Sequence, residues 1–123
     1  MKVNTGGKTP RHISAAEAAA LVKSGDWLDY GAITGQPDVF DAALAARKDE
    51  LLGVRIRNCL SVRPRAVLEA DPEGKHFQWF SWHFSGYDRR KHDAGISHYI
   101  PVNLGEIPDY YRRFNEPVDV AII

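Results

Sequence analysis

The sequence has no excess of charge of either sign and almost no cysteine. Sixteen basic and sixteen acidic residues give a formal net charge of zero at pH 7 over 123 residues. Dedicated nucleic-acid binders and membrane-surface proteins usually carry a basic excess, so we expect neither nucleic acid nor membrane as a partner. The single cysteine, Cys59, excludes an internal disulfide, and this is typical of a reducing compartment. On a half-buried strand we expect Cys59 to act as an inert, small apolar side chain.

Long apolar runs and metal-binding signatures are also missing. The first ten residues contain no apolar core of signal-peptide length, and no run approaches the length of a membrane-spanning helix. We therefore expect a cytoplasmic protein. The five histidines match no zinc-binding spacing and the cysteine has no partner, so the sequence predicts no metal site.

What the chain does contain is enough apolar sequence for one buried core. Hydrophobic residues make up 44% and charged residues 26%, and the length suits one domain. Residues 77–86, FQWFSWHFSG, place aromatic side chains on both alternating faces, which predicts a strand buried between two helix layers. The carboxyl end of this segment contains polar residues and a glycine. Since open α/β sheets bind ligands beyond the carboxyl ends of their strands, that end is expected at the rim of a site.

The order of elements predicts an α/β fold, with a three-layer, mostly parallel sheet flanked by helices. Residues 1–12 are expected to form a flexible arm, and residues 13–123 an incomplete domain, because the last strand runs to the final residue. A capping box opens the first helix, with Ser14 as its N-cap and Glu17 reaching back. Residues 54–60 alternate apolar side chains with Arg55 and Arg57, which predicts a half-exposed strand and not a central one.

Six segments, in order along the chain, resemble the acetyl-CoA hydrolase/transferase family, which includes butyrate:acetate and 4-hydroxybutyrate CoA-transferases. They are DWLDYG (26–31), the stretch 37–45, WFSWH (79–83), IPVN (100–103), EIPDYYR (106–112) and VDVAI (118–122). The resemblance implies the N-terminal lobe of a two-lobed enzyme that exchanges CoA between short carboxylic acids through a glutamyl-CoA thioester. The family's nucleophilic glutamate belongs to the second lobe. No glutamate here matches it, so we assign no catalytic residue.

The resemblance also implies what the chain binds. We expect a short-chain carboxylate or acyl-CoA as ligand and coenzyme A as a substrate of the complete enzyme, with no permanently bound cofactor. The partner would be a missing C-terminal lobe or a homologous subunit, and the chain alone would be inactive. The alternative is a non-catalytic subunit or interaction module that pairs with a separate C-terminal lobe. A third possibility is a small-ligand binder with a different chemistry.

Two segments at strand ends carry the candidate substrate-binding residues. The glycine-containing loop 31–37 leads from a strand into a helix, where backbone amides could hold a carboxylate, although an ordinary turn would use the same residues. Residues 81–83 could shape an acyl pocket, or be a core tryptophan and a structural histidine. A serine nucleophile is not expected, because nothing identifies an acid that would orient the histidine. Residues 89–92 could contact phosphates, cover a solvated helix face, or meet the missing lobe. The predicted substrate-binding residues are Gly31, Gly35, Gln36, Pro37, Ser81, Trp82 and His83.

Overall fold

The computed structural model describes residues 9–123, in which helices and strands alternate along the chain. Of the predicted arm, residues 1–8 lie outside the described residues, and residues 9–12 contain no helix or strand. The helices are α1 (Ala15–Ala19), α2 (Asp38–Ala45), α3 (Ala66–Ala70), α4 (Gly86–Asp93) and α5 (Ile107–Arg113). The strands are β1 (Trp27–Tyr30), β2 (Val54–Asn58), β3 (Phe77–Ser81), β4 (Ser97–Tyr99) and β5 (Val120–Ile122). Short 3₁₀ turns occupy Ile33–Gly35, Lys48–Glu50 and Leu104–Glu106.

The five strands form one sheet in the order β4-β3-β2-β1-β5, and every neighbouring pair is parallel. The register places Ile56 of β2 opposite Leu28 of β1 on one side and Trp79 of β3 on the other. The predicted α/β fold, with a parallel sheet flanked by helices, is therefore confirmed. No helix within residues 9–123 is both long enough and apolar enough to cross a membrane.

One face of the sheet carries the apolar core. Alternate residues of a strand share a face, and here they are buried residues of β1, β2 and β3. Their side chains join buried residues of the first three helices in one cluster. Within it the Tyr30 ring lies edge-on to Trp79, at 5.7 Å between centroids, and to Phe40, at 6.0 Å. Such edge-to-face pairs add to the stability that burial supplies.

The opposite face is polar and aromatic, and this overturns the prediction for residues 54–60. Strand β2 lies at the centre of the sheet, not in a half-exposed position. Its Arg57 is buried, because the guanidinium pairs with Asp29 at 2.7 Å between Nε and Oδ1. The same guanidinium lies 4.8 Å from the ring centroid of Trp27 and 4.9 Å from that of Tyr111 in α5. The arginine in the alternating pattern of β2 is therefore a buried charge that is paired with a carboxylate and packed against aromatic rings.

Strand β3 differs from its prediction in two respects. It ends at Ser81, so Trp82 belongs to the loop that follows. Phe77 and Trp79 are buried as expected, whereas Phe80 on the other face is only half-buried. Phe80 stacks on His98 at 4.9 Å between ring centroids. The two sides of β3 thus have different environments, one fully buried and one only partly covered.

The start of the first helix agrees with its prediction. The Ser14 hydroxyl accepts from the Glu17 amide, and the Glu17 carboxylate accepts from the Ser14 amide, which confirms the capping box. Helix α1 ends at Ala19, and Gly25 takes its φ of 82° in the turn before β1. Pro37 is the N-cap of α2 and precedes the first helical turn.

Candidate functional site

The carboxyl ends of β1, β2 and β3 lie side by side along one edge of the sheet. This carboxyl edge consists of the loops at residues 31–37, 59–65 and 82–85, which follow those three strands. In a parallel sheet such loops meet at one edge, where open α/β folds bind their ligands. The structure thus brings both predicted segments to the same edge, separated by the end of β2.

Backbone hydrogen bonds to two neighbouring segments hold the loop 31–37 in place. The Gly31 amide donates to the Ile122 carbonyl at 2.9 Å, and the Ile33 amide donates to the Cys59 carbonyl at 3.0 Å. A side chain on Gly31 would overlap the Gly35 carbonyl oxygen, whereas one on Gly35 would meet open space. Gly31 is therefore required by close packing and Gly35 is not. The amides of Gly31 and Ile33 are committed to carbonyl oxygens.

A buried cluster of neutral polar groups ties the ends of β1 and β2 together. This carboxamide cluster consists of Gln36, Asn58 and Ser61. Gln36 is only 4% exposed, and its Nε2 donates to Asn58 Oδ1 at 3.2 Å and to Ser61 Oγ at 3.4 Å. Asn58 Nδ2 donates to the Phe80 carbonyl at 3.0 Å, which extends the link to β3. The Gln36 carboxamide oxygen has no partner among residues 9–123.

The sequence identified Gln36 but not its two partners. Asn58 occupies the apolar phase of β2, in line with Val54 and Ile56. A polar residue in that phase, directly at a strand end, is a signal that the sequence did offer. Ser61 carries no comparable pattern, because it lies in an irregular loop whose path only the fold determines.

Two residues of the carboxyl edge have strained backbones. Ile33 and Leu60 both have φ of 55°, and they are the non-glycine residues with positive φ in the described chain. This conformation is rare for branched side chains and costs roughly 1–2 kcal/mol per residue. Ile33 follows β1 and Leu60 follows β2, so the strain is concentrated at the ends of two neighbouring strands. Nothing in the sequence indicated it, since glycine or asparagine usually marks such positions.

The predicted residues Ser81, Trp82 and His83 have separate environments. The buried Ser81 hydroxyl donates to the His83 carbonyl at 2.9 Å, and the Trp82 amide donates to the Asn58 carbonyl at 3.1 Å. The Trp82 ring lies 5.7 Å from that of Tyr111. The His83 side chain is exposed. Because the serine is bonded to a carbonyl and not to an imidazole, these contacts fit a structural role better than a nucleophilic one.

Asp88, at the start of α4, is the buried anchor of this edge. It accepts from the Ser61 amide at 3.0 Å, the Ser85 amide at 2.9 Å and Trp79 Nε1 at 3.2 Å. Ser85 in turn caps α4 by accepting from the Asp88 amide at 3.1 Å. The serine three residues before an acidic residue was a capping-box signal that sequence reasoning left unused.

Three titratable groups near the carboxyl edge have raised pKa values, which favour their neutral forms. Burial raises the pKa of Asp41, against the hydrogen bond from the Ala66 amide. Burial, and then the Asp41 charge, raise the pKa of Tyr30 well above its usual value. Burial also raises the pKa of Cys59, so its thiol stays protonated at neutral pH. Residues 9–123 hold no group of three His, Cys, Asp or Glu side chains placed to bind a metal ion.

The sequence matches one protein family and several curated CoA-transferases. Residues 8–123 match the acetyl-CoA hydrolase/transferase N-terminal domain. The chain is 41% identical over 110 residues to butyryl-CoA:acetate CoA-transferase of Anaerostipes caccae, covering 89% of this chain and 25% of that protein. It is 43% identical over 111 residues to the probable butyrate:acetyl-CoA coenzyme A-transferase of Syntrophomonas wolfei, covering 90% and 25%. Succinyl-CoA:cyclohexane-1-carboxylate CoA transferase of Geobacter metallireducens is 39% identical over 109 residues, covering 88% and 24%.

The fold has a counterpart among solved structures. RipA from Yersinia pestis superposes with a TM-score of 0.66 at 18% identity, covering 82% of this chain and 26% of that one. At this identity the likeness concerns the fold. The chain spans about a quarter of the length of the curated relatives it matches. The match over nearly the whole sequence shows that the chain belongs to the acetyl-CoA hydrolase/transferase family, as its N-terminal domain.

Proposed function

We propose that the carboxyl edge contacts the acyl group or carboxylate in an enzyme that exchanges CoA between short carboxylic acids. Family membership supports the reaction class, and the relatives are described as CoA-transferases for butyrate, acetate, succinate and cyclohexane carboxylate. The candidate substrate-binding residues belong to the loop after β1, to the last residue of β3 and to the loop after β3. They are Gly31, Gly35, Gln36 and Pro37 in the first loop, with Ser81, Trp82 and His83 at the end of β3.

The pair of strained residues is the observation that carries this proposal. Strain of this size persists where the surrounding structure imposes it, and it clusters at ligand-binding sites. Ile33 is 44% exposed despite its apolar side chain, and Val62 in the neighbouring loop is 47% exposed. Exposed apolar groups on adjoining loops offer a surface for a short alkyl chain. The rigid carboxamide cluster beneath them would hold the two loops at a fixed spacing.

A titration of the purified chain with butyrate and acetate tests this location. We expect amide NMR shifts to change in loops 31–37 and 59–65, and more with butyrate because its longer chain buries more apolar surface. Replacing Ile33 by Gly removes the alkyl contact and the strain together. It should weaken the butyrate response without lowering the free energy of unfolding, whereas the distant control Leu104→Ala should keep the response. Shifts confined to other parts of the chain would contradict the proposal.

The chain by itself is expected to catalyse no exchange. A glutamyl-CoA thioester needs a nucleophilic glutamate, and we assign none of the glutamates here to that role. A CoA-exchange assay with butyryl-CoA and acetate should give the background rate for the chain alone. Turnover well above background would contradict the assignment of the catalytic group to the remainder of the enzyme. It would leave the family membership untouched.

A second candidate function is that of a non-catalytic interaction module. Leu104 and Phe114, which flank α5, are large apolar side chains that are mostly exposed. Surfaces of this kind often mark sites where a protein partner binds. The partner would be a C-terminal lobe or a homologous subunit. A chain with this second function should self-associate or co-purify with such a lobe. Phe114→Ser should then disrupt the complex and leave the butyrate response unchanged.

A further inference from the structure

A pocket lies between the end of β3, helix α4 and strand β4, apart from the carboxamide cluster. We call it the β3–α4 pocket. Its volume is about 430 Å³, and it is lined by His83, Phe84, Arg89, His92 and Tyr99. This volume lies in the range of small-molecule sites. None of the five lining side chains is acidic, and His83 and Arg89 carry nitrogen atoms that can donate to an anion.

The cationic wall of the pocket comes from helix α4. Arg89 and His92 are three residues apart, so they lie on the same face of the helix. Arg89 is exposed, and no carboxylate of the described chain lies within ion-pair distance of its guanidinium. His92 Nδ1 is 2.7 Å from the Ser97 carbonyl oxygen, which can only accept. Nδ1 therefore carries the proton, and Nε2 is left for a ligand.

The other wall of the pocket is aromatic. The Phe84 ring lies 5.1 Å from the Tyr99 ring and 5.2 Å from that of His92, measured between centroids. Tyr99 is 51% exposed, which leaves much of its side chain available to a ligand. Aromatic rings and a guanidinium both pack well against a flat, conjugated group. The two walls together suit a ligand with one planar part and one anionic part.

The backbone around the pocket is held by hydrogen bonds, two of which involve serine hydroxyls. The His83 carbonyl accepts from Ser81 Oγ and from the Leu60 amide, both at 2.9 Å. Ser85 then caps α4 by accepting from the Tyr87 amide at 3.1 Å. Because the loop and the helix start are both anchored, little ordering remains to be done when a ligand binds.

We propose that the β3–α4 pocket binds a purine nucleoside phosphate. The purine packs against Tyr99 and Phe84, and the phosphate accepts hydrogen bonds from the Arg89 guanidinium and from a ring N–H of His83. The nucleotide end of coenzyme A and a free nucleotide share this chemistry. The pocket shares His83 and Phe84 with loop 82–85 of the carboxyl edge, but it lies apart from Ile33 and Val62, the exposed apolar side chains proposed to contact the alkyl chain.

Adenosine 3′,5′-bisphosphate is the probe for this pocket. Titrated into the full chain, it should shift the resonances of α4 and of residues 83–99, with saturable binding. Arg89→Gln should weaken this binding about tenfold, the usual effect of losing one hydrogen bond to a charged group. Tyr99→Leu should weaken it as well, and Arg89→Lys should restore part of the loss in Arg89→Gln. The matched control is Arg90→Gln, an exposed neighbour on α4 that does not line the pocket.

The outcomes separate the alternatives. Equal binding by Arg89→Gln and Arg90→Gln would overturn the proposal, as would inorganic phosphate binding as tightly as the bisphosphate, because the aromatic wall would then contribute nothing. If coenzyme A competes for the pocket and pantetheine does not, the ligand is the nucleotide end of CoA. If the bisphosphate binds and coenzyme A does not, the ligand is a free nucleotide. Butyrate shifts in loops 31–37 and 59–65 report on the acyl site independently of either result.

Discussion

Replacing Asp88 by Asn should destabilise the fold, because one buried carboxylate holds three elements together. Asp88 Oδ2 accepts from the Ser61 and Ser85 amides, and Oδ1 accepts from Trp79 Nε1. An asparagine offers one acceptor oxygen and one NH₂ group. If its oxygen serves the two amides, its NH₂ group faces the indole N–H, and a buried donor loses its partner.

The magnitude follows from these contacts. A lost hydrogen bond to a charged group costs about 1.5–3 kcal/mol, and each of the two retained bonds weakens when its acceptor becomes neutral. The smaller desolvation penalty of a neutral amide offsets part of this loss. We therefore expect Asp88→Asn to lower the free energy of unfolding by about 2–3 kcal/mol, a large share of the 5–15 kcal/mol typical of a domain.

Urea unfolding of four variants measures the effect and assigns its cause. The matched control is Asp93→Asn, an exposed acidic residue on the same helix, which should change stability by less than about 0.5 kcal/mol. Trp79→Phe removes the indole donor at the cost of a cavity. In that background Asp88→Asn should cost about 1–2 kcal/mol less than in the native chain, because the NH₂ group no longer faces a donor.

Two results would refute this reasoning. An Asp88→Asn variant as stable as Asp93→Asn would mean that the three hydrogen bonds contribute no net stability. Equal costs of Asp88→Asn with and without Trp79 would mean that the indole contact is not the source of the loss. Either result would be clearest if the slope of unfolding against urea stays constant, so that only the native state has changed.

Two further predictions concern the carboxyl edge and its surroundings. Gly31→Ala should destabilise the chain by about 1–3 kcal/mol, whereas Gly35→Ala should change stability by less than about 1 kcal/mol; equal effects in urea unfolding would contradict the packing described for this loop. The raised pKa of Asp41 means that the folded state binds its proton more tightly than the unfolded state, so stability from this group is present at low pH and is lost as the pH rises through the folded-state pKa. Unfolding measured from pH 3 to pH 7 should therefore show Asp41→Asn gaining stability relative to the native chain as pH rises, and a constant difference would contradict it.

The parts of the fold that depend on local chemistry were predictable. The capping box at Ser14 and the helix-strand rhythm follow from neighbouring residues, and the structure confirms both. The environment of β3 was less predictable, because it depends on elements distant in sequence. Phe80 meets Trp27, at 4.9 Å between centroids, and His98, at the same distance. Only the strand order determines that these three rings share a face.

The placement of the two candidate loops was predictable, whereas their detailed contacts were less so. Parallel topology places loops 31–37 and 82–85 at one edge, and the structure agrees. The positive φ of Ile33 and Leu60 could not be predicted, since strain of this kind is imposed by the surrounding fold. The substrate-binding roles of the predicted residues themselves stay predictions until the titrations are done.

Arg57 explains why the central strand was misplaced. A charged side chain on a strand predicts solvent exposure when its partners are unknown, and the partners here are Asp29, Trp27 and Tyr111 from β1 and α5. Removing only Asp29 would leave a buried charge unpaired, which costs far more than an exposed pair contributes. The sheet therefore has one apolar face and one face built on a neutralised cation under α5. Tyr111 of α5 and the edge strand β5 therefore complete the environment of the central strands, although both lie far along the sequence.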